Sequence, residues 1–334
     1  MSQAVAQRGG ASHDLQDLYV PVRAELEQVE QMLQEEVRCD HPFVNLLLKH
    51  GARLGGKRLR PALVLLSGRA CGPLAREHLT AAAAIELVHT ATLIHDDVLD
   101  EAALRRHLDT VNARWGNEVS VLLGDYLFAR AICLVNSLDD GPTARVIGDA
   151  SRVMCEGELR QVESRGNFDL SEEQYLDIIA AKTAALCSCC CRLGAYHSGA
   201  GPDLQERLAQ YGRCLGIAFQ ITDDVLDLAG DEATVGKSLG TDLAKQKPTL
   251  PLIRLLHSSL PDQRDRILAV LARSDNHYRE ALKPWLDRSD AIAYAQQRAG
   301  WYAEQAKRHL DAVAPSLARQ ALLGLADFVV SRRL

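Results

Sequence analysis

Two segments of this chain carry the same acidic pattern, Asp96-Asp97-Val98-Leu99-Asp100 and Asp223-Asp224-Val225-Leu226-Asp227, each inside an apolar run. On a helix, residues four apart share a face, so Asp96 with Asp100 and Asp223 with Asp227 each form a like-charge pair that destabilises its own helix. A cation must offset that repulsion. Carboxylate oxygens about one helical turn apart suit hard divalent ions, and Mg2+ favours a few carboxylates together with waters and substrate phosphate oxygens. Two such faces turned toward each other would hold a diphosphate between them.

Basic and glycine-bearing segments supply the opposite charge. Gly51 to Lys57 has the spacing GxxxxGK of a nucleotide-binding loop, but Arg58 stands where Ser or Thr is required and no strand precedes it. Around Gly236-Lys237-Ser238 the first glycine of that pattern is replaced by Asp231. Neither segment is a nucleotide loop. Both still allow close backbone approach, and Lys57, Arg60 and Lys237 offer charge-assisted donors to phosphate. His89 lies two turns before Asp96 on about the same face, and Arg105-Arg106 follow the acidic end of that helix. Glu86-Leu87-Val88-His89 has the Glu-x-x-His form of di-iron bundles, which need two copies, and the chain has one.

The elements that must position these groups read as helices. Leu26, Val29, Met32, Leu33 and Val37 recur at helical intervals, and apolar stripes with a period near 3.6 run through 61–70, 79–100, 117–137, 143–163, 172–198 and 203–229. The rhythm continues through 249–258, 263–273, 279–285, 290–312 and 316–332. The first acidic motif then ends a helix over Ile85 to Glu101. Turn chemistry separates the stripes at Gly72-Pro73, Asp139 to Pro142, Gly166-Asn167, Gly199 to Pro202 and Pro261-Asp262. Short connections make neighbouring helices antiparallel, and no alternating stretch argues for a sheet. Residues 1–14 read as a flexible tail, and 15–334 as a single all-α domain with no linker.

Composition narrows the class. With 334 residues and 47% hydrophobic content a sizeable core is available, while a net charge of -6 provides no overall basic field for nucleic acid. The N-terminus lacks the features of a signal peptide, and no segment is expected to approach the roughly 20 apolar residues of a membrane span. The expected location is the cytoplasm. Of the nine cysteines, Cys187, Cys189, Cys190 and Cys191 crowd one apolar stretch that cannot pair them as a disulfide framework, and no second segment offers zinc ligands at the right spacing. They read as small buried apolar residues.

An ordered set of motifs resembles the trans-polyprenyl diphosphate synthase family over nearly the whole chain. It comprises Gly55-Gly56-Lys57-Arg58-Leu59-Arg60-Pro61, Glu86 to His95 leading into the first acidic motif, Arg105-Arg106, and Gly116-Asn117 through Gly124-Asp125. It continues with Glu156-Gly157-Glu158 and Gln161, Lys182-Thr183, Phe219-Gln220 before the second acidic motif, Gly236-Lys237 to Gly240-Thr241-Asp242-Leu243, and Lys247-Pro248-Thr249-Leu250-Pro251. The resemblance implies an all-α bundle around a central cavity, the isoprenoid synthase type I fold, closed at one end by the two acidic helices. It implies a homodimer and Mg2+, three ions with substrate bound, for which Mn2+ can substitute. Asp96, Asp100 and Asp223 would be direct metal ligands, with Asp97, Asp224 and Asp227 supporting directly or through water. Arg105, Lys182, Lys237 and Lys247 would hold an allylic diphosphate, and Lys57, Arg60, His89 and Arg106 isopentenyl diphosphate. Thr183 and Gln220 would sit near the developing carbocation. One departure is His107, where the family usually has glycine, and it bears on the loop that aims Arg106.

In such enzymes the growing product runs down between helices, and bulky residues four and five positions before the first acidic motif stop it early. Here these are Ala91 and Thr92. The expectation is therefore a medium to long all-trans chain, centred on C40, made from farnesyl diphosphate and isopentenyl diphosphate. Leu87, Val88, Ile147 and Met154 are deeper candidate stops, and release of the product would involve at most peripheral membrane contact. The alternatives are a geranylgeranyl or farnesyl diphosphate synthase, a non-catalytic subunit of a heteromeric synthase, and a terpene cyclase. The second aspartate triad and an aromatic content of 5% oppose the cyclase.

Overall fold

The structure, a computed structural model, describes residues 14–54, 56–230, 240–272 and 278–332. The chain begins with α1 (Leu15–Leu18), a 3-10 turn at Val20–Val22, α2 (Arg23–Glu36), α3 (Pro42–Arg53), α4 (Leu59–Cys71) and α5 (Arg76–Leu99). A small antiparallel hairpin, β1 (Leu104–Arg105) and β2 (Leu108–Asp109), leads into α6 (Val111–Asn136) and α7 (Gly141–Glu163). Next come α8 (Glu172–Ile179), a π turn at Ala180–Ala184, α9 (Ala185–His197) and α10 (Pro202–Ala229). The described chain finishes with α11 (Thr241–Ala244), α12 (Leu250–Ser258), α13 (Pro261–Leu271), α14 (Tyr278–Leu286), α15 (Ala291–His309) and α16 (Leu317–Ser331).

The apolar stripes explain the packing. In α5, Ala81–Ala84, Ile85, Ala91 and Ile94 are all inaccessible to solvent, so this helix is buried nearly all round, as expected for the centre of a bundle. It packs on α4 and α6, while α10 packs on α9 and α15. The helix starts follow local chemistry: Ser171 and Gln174 form a reciprocal capping box at α8, and Pro202 occupies the first turn of α10. Both acidic motifs thereby fall at the C-terminal ends of long helices, α5 and α10. The negative end of the helix dipole adds to the cost of their carboxylates there, so the demand for positive charge is doubled.

Four expectations change. Gly51 does not offer the close backbone approach to phosphate expected of its segment, because it is buried inside α3. The α5 helix ends at Leu99, with Asp100 as its C-cap residue, and begins well before Ile85. A tiny hairpin exists where no strand was expected. Finally, the continuous helical run Glu172–His197 is long and apolar enough to cross a membrane, contrary to the expectation that no segment approaches this, but 72% of its most apolar window is buried within the fold. It is a core helix, and Cys187, Cys189, Cys190 and Cys191 are free, buried thiols on it. Apart from Asp14, which caps α1, the expected tail lies outside the described residues.

Candidate active site

In the first motif the three carboxylates part company. Asp97 is 1% exposed and turns toward the hairpin, where Arg105 donates from both Nε and Nη2 to its Oδ1 at 2.8 Å. Burial raises its carboxyl above the ordinary value even though Arg105 opposes the shift, and its Oδ2 is buried without a hydrogen bond. Asp96, by contrast, lies beside Lys182, Glu158 and Asp100, and burial pushes it up to about 6. Asp100 lies 2.9 Å from Lys245 Nζ and 3.4 Å from Lys247 Nζ. Burial alone would raise Asp100, yet Lys247 and Lys245 hold it below the usual carboxylate range.

The second motif is held by hydrogen bonds. Asp224, buried, accepts from Tyr175 Oη at 2.6 Å and from Gln220 Nε2 at 2.7 Å, while Gln220 Oε1 accepts from Thr183 Oγ1 at 2.8 Å. Burial raises Asp224, and the charge of Asp242 adds to the shift. Asp227, also buried, accepts from Thr241 Oγ1 and from the Asp242 backbone N–H, both at 3.1 Å. Asp223 alone turns elsewhere, pairing with Arg332, whose guanidinium stacks 5.1 Å from the Phe219 ring centre.

The turn that follows α11 reaches the first motif. Lys247, 7% exposed, sits between Asp100 at 3.4 Å and Asp242 at 3.6 Å, so a path of polar contacts runs from Asp100 through Lys247 and Asp242 to Asp227. Lys182 projects from the π turn and pairs with Glu158 and with Gln161 Oε1 at 2.7 Å. Its position depends on Gly157, where any Cβ would come within 2.4 Å of the Lys182 backbone nitrogen. A π turn of this kind frequently marks a functional site.

The second basic group lies around α4. Arg60 Nη1 is 2.9 Å from His89 Nε2, and burial together with the charges of Arg60, Arg105 and Arg106 holds the imidazole well below its usual value. His89 is therefore a neutral acceptor that orients Arg60. Lys57 Nζ lies 5.7 Å from the Phe328 ring centre. Arg106 donates to Leu54 O at 3.1 Å and lies against Gly56. Arg106 and His107 both adopt left-handed backbone, φ 52° and 63°, so His107 stands in the conformation that glycine would adopt at least cost. Arg58 spans buried Glu86 at 2.9 Å and Glu30 at 2.9 Å, which assigns the Glu of Glu-x-x-His to an ion pair that fixes this loop.

Lys237 lies outside the described residues. The candidate length-setting residues Leu87, Val88, Ala91, Ile147 and Met154 belong to one buried apolar cluster, and Thr92 at its edge donates to His89 O. Sequence reasoning missed Tyr175, Asp242, Lys245, Arg165 and Arg332. Of these, Asp242 stands inside a quoted motif without having been given a role and Lys245 lies between two such motifs, while the others are linked to the aspartates only by tertiary contact.

Among the described residues no three His, Cys, Asp or Glu side chains form a group that could hold a metal ion. The donors nevertheless fit Mg2+: they are hard carboxylate oxygens, and this ion completes its shell with water and substrate phosphate. Asp96, Asp100 and Asp223 would hold it, since they are only partly buried whereas Asp97, Asp224 and Asp227 are buried, and Asp100 and Asp223 would exchange their present lysine and arginine partners for the ion.

Residues 41–286 match the family model described as polyprenyl synthetase. The chain is 38% identical to octaprenyl diphosphate synthase of Escherichia coli over 301 residues, covering 89% of this chain and 93% of that protein. It is 39% identical to nonaprenyl diphosphate synthase of Mycobacterium tuberculosis over 317 residues, 93% of each. The crystal structure of a Caulobacter crescentus polyprenyl synthase complexed with calcium and isoprenyl diphosphate superposes with a TM-score of 0.91 at 35% identity, covering 98% of this chain and all of that one. With its all-helical bundle and two acidic helix ends joined by Lys247, the chain belongs to the polyprenyl synthetase family of prenyltransferases.

Proposed function

We propose that this enzyme condenses isopentenyl diphosphate with farnesyl diphosphate to give an all-trans polyprenyl diphosphate centred on C40. The observation that carries this reading is the contact path from Asp100 through Lys247 and Asp242 to Asp227, which ties both acidic helix ends into one site. Calcium and isoprenyl diphosphate in the Caulobacter relative support a divalent ion and a prenyl substrate. Bound Mg2+ would stabilise charge growing on the leaving diphosphate. Lys182, Lys247 and Lys237 would receive that diphosphate as its bond to the allylic C1 breaks, and Arg105 would hold Asp97 and the hairpin in register beside it.

Thr183 donates a hydrogen bond to Gln220, which in turn donates to Asp224, so the lone pairs of the Thr183 oxygen would be free to stabilise the developing carbocation. Lys57, Arg60 and Arg106, with neutral His89 orienting Arg60, would bind isopentenyl diphosphate so that its alkene attacks C1 as an effectively intramolecular step. The released diphosphate would then accept the proton that is lost. Small Ala91 and Thr92 support elongation beyond C20, as do the octaprenyl and nonaprenyl synthases among the relatives. The nine free thiols support a reducing cytoplasm. A homodimer would use the outer face of α6, where Val121, Leu122 and Ile132 are exposed.

The test is turnover by the purified chain with radiolabelled isopentenyl diphosphate, farnesyl diphosphate and Mg2+, followed by product chromatography. An EDTA-sensitive product near C40 is expected. A folded chain that forms no product would overturn the catalytic reading, and a product that stops at C20 would overturn the length.

A further inference from the structure

Asp100 carries more positive charge than the roles above require. Its Oδ1 is approached by Lys245 Nζ at 2.9 Å, Lys247 Nζ at 3.4 Å and Arg165 Nη2 at 4.0 Å. Of these three cations, Asp242 shares Lys247, at 3.6 Å. The loops that bring Arg165 and Lys245 together are pinned to each other, because Gly166 N–H donates to Gln246 O at 2.9 Å and both residues hold left-handed backbone, φ 73° and 53°. Among the described residues, buried Arg165 Nε and Nη2 have no hydrogen-bond partner, so the guanidinium keeps donor capacity beyond its 4.0 Å approach to Asp100.

Three cations converging on one carboxylate oxygen repel one another, and an ammonium at 2.9 Å shares the oxygen to which a divalent ion would be drawn. A metal ion drawn to Asp100 therefore competes with Lys245 for the same negative charge and is repelled by it. Once displaced, Lys245 and Arg165 remain tethered beside the site with their charge uncompensated, which favours an incoming polyanion.

We propose that Lys245, assisted by Arg165, is an exchangeable counter-ion: it neutralises Asp100 in the empty enzyme and transfers its charge to the substrate diphosphate when metal takes Asp100. The proposal rests on the reading of Asp100 as a metal ligand. It makes Lys245 and Arg165 positioning residues with opposite effects on two ligands. Metal alone must compete with them, whereas diphosphate recruits them.

Calorimetric titration of the full chain with Mn2+ alone, and with inorganic pyrophosphate in saturating Mg2+, separates the two effects. For Lys245→Met, Mn2+ is expected to bind about tenfold tighter and pyrophosphate about tenfold weaker than in the unsubstituted chain. Arg165→Gln should shift both in the same directions by less, and Lys245→Arg should restore both. If Lys245→Met leaves both affinities unchanged, or weakens both together, the exchange is overturned while the metal-site reading stands. If the unsubstituted chain itself binds neither Mn2+ nor pyrophosphate, the reading of Asp100 as a metal ligand falls first.

Discussion

The two acidic motifs share a five-residue sequence and a place at the end of a long helix, yet the protein uses them differently. In the first, one aspartate is buried against Arg105 and two remain at the site, one of them among movable cations. In the second, Asp224 and Asp227 are fixed by Tyr175, Gln220, Thr241 and a backbone N–H, leaving Asp223 with Arg332. Identical spacing thus produces two outward carboxylates at one end and one at the other. The second motif is a rigid wall, and the first is a surface prepared for charge exchange.

Substitutions separate these roles. The largest effect is expected for Asp100→Ala and Asp223→Ala, which remove charge stabilisation in the transition state and should lower kcat by about a thousandfold, far beyond any loss of folded protein from the cations they leave unpaired. Steady-state kinetics beside thermal melts checks this pair. Asp97→Ala leaves Arg105 without its partner, and since Arg105 is partly solvated the loss of stability should be about 2 kcal/mol, read by urea unfolding. If Asp97→Ala reduced kcat without loss of stability, the division between inward and outward carboxylates would fail.

Smaller effects sharpen the contrast. Burial pushes Asp96 up to about 6 from 3.8, so the folded metal-free chain holds this proton more tightly than the unfolded chain does. Its contribution to stability is therefore favourable at low pH relative to high pH and declines as pH rises from about 4 through 6. Asp96→Asn should raise metal-free stability above pH 6 by on the order of 1 kcal/mol after solvent screening, and the gain should vanish below about pH 4. Melts across that range measure it. Tyr175→Phe removes one hydrogen bond from buried Asp224 and should cost about 1–2 kcal/mol, with kcat reduced less than in Asp223→Ala.

Much of this architecture was legible from the sequence. The stripe at 203–229 became α10, Pro202–Ala229, because a Gly-Pro start and an unbroken 3.6-residue period agree with the tertiary packing. The helix Pro42–Arg53 was not among the stripes, because Gly51 was weighed for backbone approach to phosphate rather than as a helical residue, although it sits inside α3. The inequality of the aspartates could not be read locally. It is set by Arg105 eight residues away, by Tyr175 forty-nine residues away and by Arg332 near the end of the described chain, none of which leaves a trace in helical periodicity.

The most direct test is calorimetric titration of Mg2+ into the pyrophosphate-bound chain, comparing Asp100→Asn with Asp97→Asn. Asp100→Asn should lose at least about tenfold in metal affinity, while Asp97→Asn, if folded, should stay within about threefold of the unsubstituted chain. Equal loss in both variants would contradict the claim that the carboxylates of one motif divide into metal-facing and protein-facing members.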